Sequence, residues 1–203
     1  SRYFSCVAST PPGQEGRWPG PLSISTFLCD HGGFQWGKMN QQDTRNLINF
    51  HYWARNRMLD AVELLPEEQF TKEIGGSFGS VRNTIVHTYS AEHIWLSRWT
   101  GESPAGMLAP DNFLNAASVR SAWTDLEAKL RGFFETLDEQ GIQRVIHYKT
   151  FAGVESSSVL WQMLQHVVNH ASYHRGQVTT MLRQLGAAPP KGTDLITFYR
   201  ENP

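Results

Sequence analysis

Three of the eight histidines fall in one short stretch, Gln165-His166-Val167-Val168-Asn169-His170-Ala171-Ser172-Tyr173-His174-Arg175-Gly176-Gln177, spaced four and four. On a helix each residue turns by about 100° and rises by about 1.5 Å. Imidazoles four apart therefore share a face and can reach one ion. The first and third lie about 12 Å apart along the axis, too far to share a metal while flanking the second. The stretch offers two ligands, either His166 with His170 or His170 with His174. The apolar residues Leu160, Met163, Val167, Ala171, Val178, Met181 and Leu185 recur at helical spacing and define a core-facing stripe. His174 falls inside that stripe, His170 at its edge, and His166 toward solvent. The 170/174 pair thus points inward. A pair of buried histidines satisfied by hydrogen bonds is the alternative, although burying two adjacent imidazoles without a use is costly.

Such a pair needs a framework, and the rest of the chain supplies helices. Leu47, Phe50, Ala54, Met58, Ala61 and Leu65 predict a first amphipathic helix over 42–65, stopped by Pro66. A second runs from about Ser80 to Trp99, after Gly75, Gly76 and Gly79. A third covers about Ala116 to Glu139, with Val119, Ala122, Trp123, Leu126, Leu130, Phe133 and Leu137 on one face. Val145 to Tyr148, a turn at Gly153 and an arm to Ser156 predict a small β-hairpin. The fourth helix, about Ser158 to Leu185, carries the histidines and is closed by Gly186 and Pro189-Pro190. Asp194 to Tyr199 reads as a further turn packing back. The fold class is all-α, a four-helix bundle with a small hairpin before the last long helix.

Residues 1–38 read differently. Four Pro and six Gly fall among them and no period persists. Met39 reads as the natural start, the preceding residues as an upstream or expression-derived extension, and a genuine flexible tail as the competing reading; 39–203 forms the folded domain. The 203 residues allow one domain with a real core. The mean hydropathy is −0.41 and the formal net charge −1, which speaks against an electrostatic nucleic-acid binder. No apolar run approaches the roughly 20 residues of a membrane span. Cys6 and Cys29 both lie near the N-terminus, so the body offers neither a disulfide frame nor cysteine catalysis, and a cytoplasmic location is the natural reading.

Bundles build metal sites from side chains on facing helices, and a catalytic site of zinc type takes three protein ligands and an open position. Candidates for the third ligand are His51, His87, His93, His147 and Glu92, among other carboxylates. His87 shares a face with Ala91 and Ile94 and leads on spacing. Gln177 projects near the His170 face, placed to fix an imidazole or touch substrate. Arg175 points away, a structural residue expected to pair with a carboxylate of another helix.

The segment His166 to Gln177 resembles the signature of the DinB/YfiT-like (damage-inducible DinB) family of metalloenzymes. Tyr52-Trp53-Ala54-Arg55-Asn56-Arg57-Met58-Leu59 resembles that family's first-helix opening, and Val86-His87 through Glu92 to Trp95-Leu96 its second-helix pattern. The likeness runs from about Met39 to the C-terminus. It implies a bundle holding one divalent metal, zinc or nickel, through His87, His170 and His174. It also implies a small-molecule substrate, frequent homodimers, and in some relatives transfer or isomerisation using a low-molecular-weight thiol. The expected function is thiol S-transfer on such a metal. A metal-dependent hydrolase is the second reading, and a non-catalytic metal-binding stress-response protein the third.

Overall fold

The computed structural model describes residues 38–203, and the reading of the segment before Met39 as an extension lies outside them apart from Lys38. Four long helices carry the fold: α1 (Gln41–Val62), α3 (Val81–Trp99), α4 (Ala116–Glu135) and α6 (Leu160–Gln184). Short helices α2 (Glu67–Thr71), α5 (Glu139–Gln143) and α7 (Leu195–Glu201) fill the connections and the C-terminus, with a 3-10 turn at Pro110–Asn112. Strands β1 (Val145–Lys149) and β2 (Glu155–Val159) pair antiparallel, Val145 opposite Val159 and Lys149 opposite Glu155.

The ends follow capping chemistry. Asn40 and Asp43 close a capping box on α1, with each side chain accepting the other's backbone N–H. Ser80 accepts from Asn83 N at the start of α3, and Asn115 from Ser118 N at the start of α4. Helix α6 has no side-chain cap. It continues directly from β2, and Leu160 N instead donates to Arg144 O before β1 (3.0 Å), which ties helix and hairpin together.

Closest packing runs α1–α4–α3–α6 and back to α1. Consecutive long helices α1 and α3 therefore sit diagonally across the bundle, and α4 fills the gap between them. Helices α3 and α6 run antiparallel: Trp95 meets His166 edge-on (5.2 Å), His87 meets His170, and Thr84 reaches Met181. Most of each predicted stripe is buried, Trp123, Leu126 and Leu130 on α4 and Leu160, Met163, Val167, Ala171, Val178 and Met181 on α6, while Ala122, Phe133 and Leu185 are half-buried at the edges. Burying each Leu, Val or Met of these stripes contributes about 1.5–3 kcal/mol before entropy is counted.

Boundaries differ in places. Helix α1 ends at Val62 in a tight turn, with Leu65 N on Val62 O, and α2 then buries Phe70. Helix α4 stops at Glu135 rather than Glu139, because Asp138 accepts from Gly141 N (2.7 Å) and caps a new short helix. The C-terminal turn is a helix, α7, whose Phe198 packs edge-on against Phe50 and Trp53.

Candidate metal centre

His170 and His174 lie on consecutive turns of α6, and the α3 face opposite them carries His87. The three Nε2 atoms converge. That of His170 is 3.1 Å from that of His87 and 3.0 Å from that of His174. One ligand atom from each residue lies within 4.8 Å of the others, and this is the only such group of His, Cys, Asp or Glu among the described residues. Two nitrogens bound to one ion at about 2.0–2.1 Å stand about 3 Å apart, so the spacing suits ligation.

Proton placement makes the same case. The Nδ1 of His174 is 2.7 Å from Oε1 of Gln177. A carbonyl oxygen only accepts, so Nδ1 carries the proton and Nε2 presents a lone pair. A single proton on His170 Nε2 could serve only one of its two neighbours. A cation between them serves all three, and the donor set fits a divalent ion. Burial, with the neighbouring His174 adding to it, pushes His87 down to about 4. Burial also pushes His170 to about 4, helped by His174, His87 and His166. His174 is lowered by burial too, against an opposing pull from Gln177. All three are neutral near pH 7, as ligation requires.

Phe78, from the glycine-rich loop before α3, stacks on His87 with ring centres 4.1 Å apart and meets His174 edge-on at 5.5 Å. Spacing along the chain gives no hint of this residue beyond its place between Gly76 and Gly79. Gln177 touches one of the three imidazoles, that of His174 rather than His170, and its amide nitrogen also reaches Ser77 Oγ (3.4 Å).

The other candidates stand apart. His166 is exposed against Trp95, and His147 is exposed on β1. His93 is half-buried near Tyr89. Glu92 and His51 form a separate buried cluster: the carboxylate accepts from His51 Nε2 (2.7 Å), Trp123 Nε1 (2.7 Å) and Tyr52 Oη (2.6 Å). Burial pushes Glu92 up, but His51 and the hydrogen bonds from His51, Tyr52 and Trp123 win and hold it below the usual carboxylate range. Arg175 faces away from the histidines but has no carboxylate partner among the described residues. It donates to Ser172 Oγ (2.6 Å) and lies over Phe50, and burial lowers it to about 10. The expected ion pair fails because α1 offers Arg175 an aromatic ring rather than an acid.

Three imidazoles gathered from two facing helices are the arrangement from which helical bundles build metal sites. The DinB family model matches residues 39–201, and the chain belongs to the DinB family. Protein DinB of Bacillus subtilis (strain 168) is 25% identical over 158 residues, spanning 75% of this chain and 92% of that protein. Among solved structures, a DinB-like protein from Bacillus cereus ATCC 10987 matches with a TM-score of 0.62 at 17% identity, covering 77% of this chain and 99% of that one. YfiT from Bacillus subtilis, described as a probable metal-dependent hydrolase with an unusual four-helix bundle topology, matches with a TM-score of 0.56 at 16% identity, covering 85% and 96%. No helix among the described residues is long and apolar enough to cross a membrane.

Proposed function

We propose that the chain is a metal-dependent enzyme in which His87, His170 and His174 hold one divalent ion, zinc or nickel, and the reaction is hydrolysis of a small molecule. The observation that carries this reading is the convergence of three Nε2 atoms with no fourth His, Cys, Asp or Glu beside them among the described residues. Three neutral ligands leave the double charge of the ion uncompensated, and an ion so held lowers the pKa of a water or thiol at its open position toward neutrality. Gln177 holds the proton of His174 on Nδ1 and so keeps the Nε2 lone pair aimed at the site. Phe78 covers the His87 ring and fixes its plane. The description of YfiT as a probable metal-dependent hydrolase favours water over a thiol.

Thiol S-transfer is the second reading, and one observation favours it. The trio has no carboxylate beside it to act as general base, and Glu92, further along the same helix as His87, is taken up by three donors. A thiolate needs no further base once formed. Non-catalytic metal storage fits a closed set of four protein ligands better than this set of three. The test is metal analysis of the purified protein, followed by turnover of a panel of esters and amides with and without a low-molecular-weight thiol. We expect one ion per chain and thiol-independent hydrolysis. Strict thiol dependence replaces hydrolysis by transfer, and absence of bound metal after reconstitution removes both readings.

A further inference from the structure

We infer that the cleft between the 74–77 loop and the second half of α6 is a binding site for the uncharged, partly apolar end of a small molecule. The inference rests on the enzymatic reading above and names the substrate class it serves. The cleft has a volume of about 390 Å³, within the range of small-ligand sites. Its ten lining residues include no charged side chain. On α6 the stripe Tyr173, Gly176/Gln177, Thr180 and Gln184 faces the loop at intervals of three and four, so one helical face supplies hydroxyl and amide groups. Ile74 and Met181 supply the apolar surface. Glu73 borders the loop but turns its carboxylate to Gly75 N (3.3 Å), and no charged side chain lines the cleft to partner a carboxylated or cationic ligand.

Gly176 strengthens the case. It lies inside α6, where glycine costs stability relative to alanine. Neither packing nor backbone requires it: a Cβ there would meet nothing within 4 Å, and its φ is not positive. What the missing side chain provides is open space at the floor of the cleft. Across from it, Gly75 and Gly76 (φ 86° and 84°) form a wall of bare backbone. The cleft adjoins the metal centre without containing it. Gln177 lines the cleft and bonds His174, while Tyr173 lines the cleft and sets its ring 5.1 Å from that of His174. A ligand here sits on the Nδ1 side of His174, which suits the non-reacting end of a substrate whose binding energy is used in positioning the rest.

The probes are hexanamide, with hexanoate and hexylammonium as its charged counterparts, titrated into the full chain and followed by amide NMR shifts at Gly76, Ser77 and Gly176. Metal content is measured on every sample. We expect saturable hexanamide binding, with both charged probes weaker by about tenfold or more, since their charge would have to be desolvated unpaired. Gly176→Leu, which fills the floor from an exposed position, should weaken hexanamide by about tenfold or more through lost contact and leave metal content unchanged. Thr180→Leu fills the same cleft one turn on and serves if the first variant does not fold. Equal binding of charged and neutral probes, unchanged binding in the filled variant, or no saturable binding at millimolar concentrations overturns the proposal. An ion bound without hexanamide binding removes the cleft alone, and hexanamide binding without an ion removes the metal reading alone.

Discussion

Helix α3 carries a polar cluster on each of two faces, and they are built from similar parts to opposite ends. Toward α6, His87 joins His170 and His174. Toward α1 and α4, Glu92 joins His51, Tyr52 and Trp123. In the second cluster each carboxylate oxygen is taken: Oε1 by Tyr52, and Oε2 by His51 and Trp123. Arg55 closes it from the side, its guanidinium 4.6 Å above the Tyr52 ring and bonded to Glu127. Apart from His51 Nδ1, which is buried without a partner among the described residues, the polar groups of that cluster are matched to one another. In the first, three ring nitrogens point at one place and have too few protons among them to satisfy one another. Buried polar residues alone do not mark a site. A local imbalance of donors and acceptors does, because an unmatched buried group is costly unless something else meets it.

That contrast breaks most sharply at the ligands. Replacing His87, His170 or His174 by Ala should reduce metal content after gel filtration from one ion per chain to near none, since a two-ligand remnant is a poor site. Metal-free stability should fall as well, most at the buried His174 and at His87 under the Phe78 ring, so ion content is read per folded chain. A variant that keeps its ion removes that residue from the ligand set.

Across the helix the expectation inverts. Glu92→Ala strands three buried donors, and breaking such a cluster costs about 3–5 kcal/mol, a large share of a total of about 5–15 kcal/mol. Urea unfolding of the metal-free protein measures it, and ion content per folded chain should stay unchanged. A loss below about 1 kcal/mol, no more than one ordinary hydrogen bond, would show that the cluster is not what locks α3 to α1 and α4.

How far the two clusters were legible in the sequence follows from their construction. His170 and His174 share one helix, so the i, i+4 rule and the apolar stripe of α6 paired them, and the inward face of α3 put His87 first among the rest. The four members of the Glu92 cluster come from three helices, with Tyr52 beside His51 but Trp123 far along the chain. Their meeting depends on α4 filling the gap between α1 and α3, an order that periodicity along the chain does not encode. Phe78 was hidden for the same reason, as a loop residue placed by the packing of α3 on α6. The hairpin was legible from Val145-Ile146-His147-Tyr148 and Gly153. The end of α4 was not, because Leu137 continues the apolar spacing past the point where Asp138 starts a new cap.

Gln177 tests whether the open cluster depends on its support. Gln177→Leu removes the acceptor on His174 Nδ1 and should weaken metal binding about 10–100-fold, the usual cost of losing such a partner. Competition with a chelator of known affinity reads this directly. Unchanged affinity would mean that packing against Phe78 and Tyr173 orients His174 without help.

Acid should separate the clusters by where they titrate. His87 and His170 lie near 4 in the folded chain, below the ordinary 6.5. The unfolded chain therefore takes up protons first, and metal-free stability falls as the pH drops from about 6.5 toward 4. Metal binding should hold through that window and fail near its lower end, below the pH 6 that unperturbed imidazoles suggest. Glu92 is lowered from 4.5, so its contribution is present above that value and is lost only as the pH falls through its lower folded value. The ligand variants should flatten the first window and leave the second. A stability curve that is flat between pH 6.5 and 4 would show the three imidazoles to be more solvated than their packing indicates.

The smallest effect is expected at His166, and it decides the register of the site. Its ring lies 6.0 Å from that of His170 and 5.2 Å from that of Trp95, on the exposed side of α6. Spacing alone permits a 166/170 pair as readily as a 170/174 pair, and the inward turn of His174, its contact with Gln177 and its convergence with His87 and His170 separate the two. His166→Ala should leave one ion per chain and change stability by no more than about 0.5 kcal/mol, as for most surface substitutions. Metal content and urea unfolding run beside His174→Ala give the comparison. If His166→Ala releases the ion while His174→Ala retains it, the ion sits one turn toward the hairpin, and the convergence of Nε2 atoms at His174 serves packing alone.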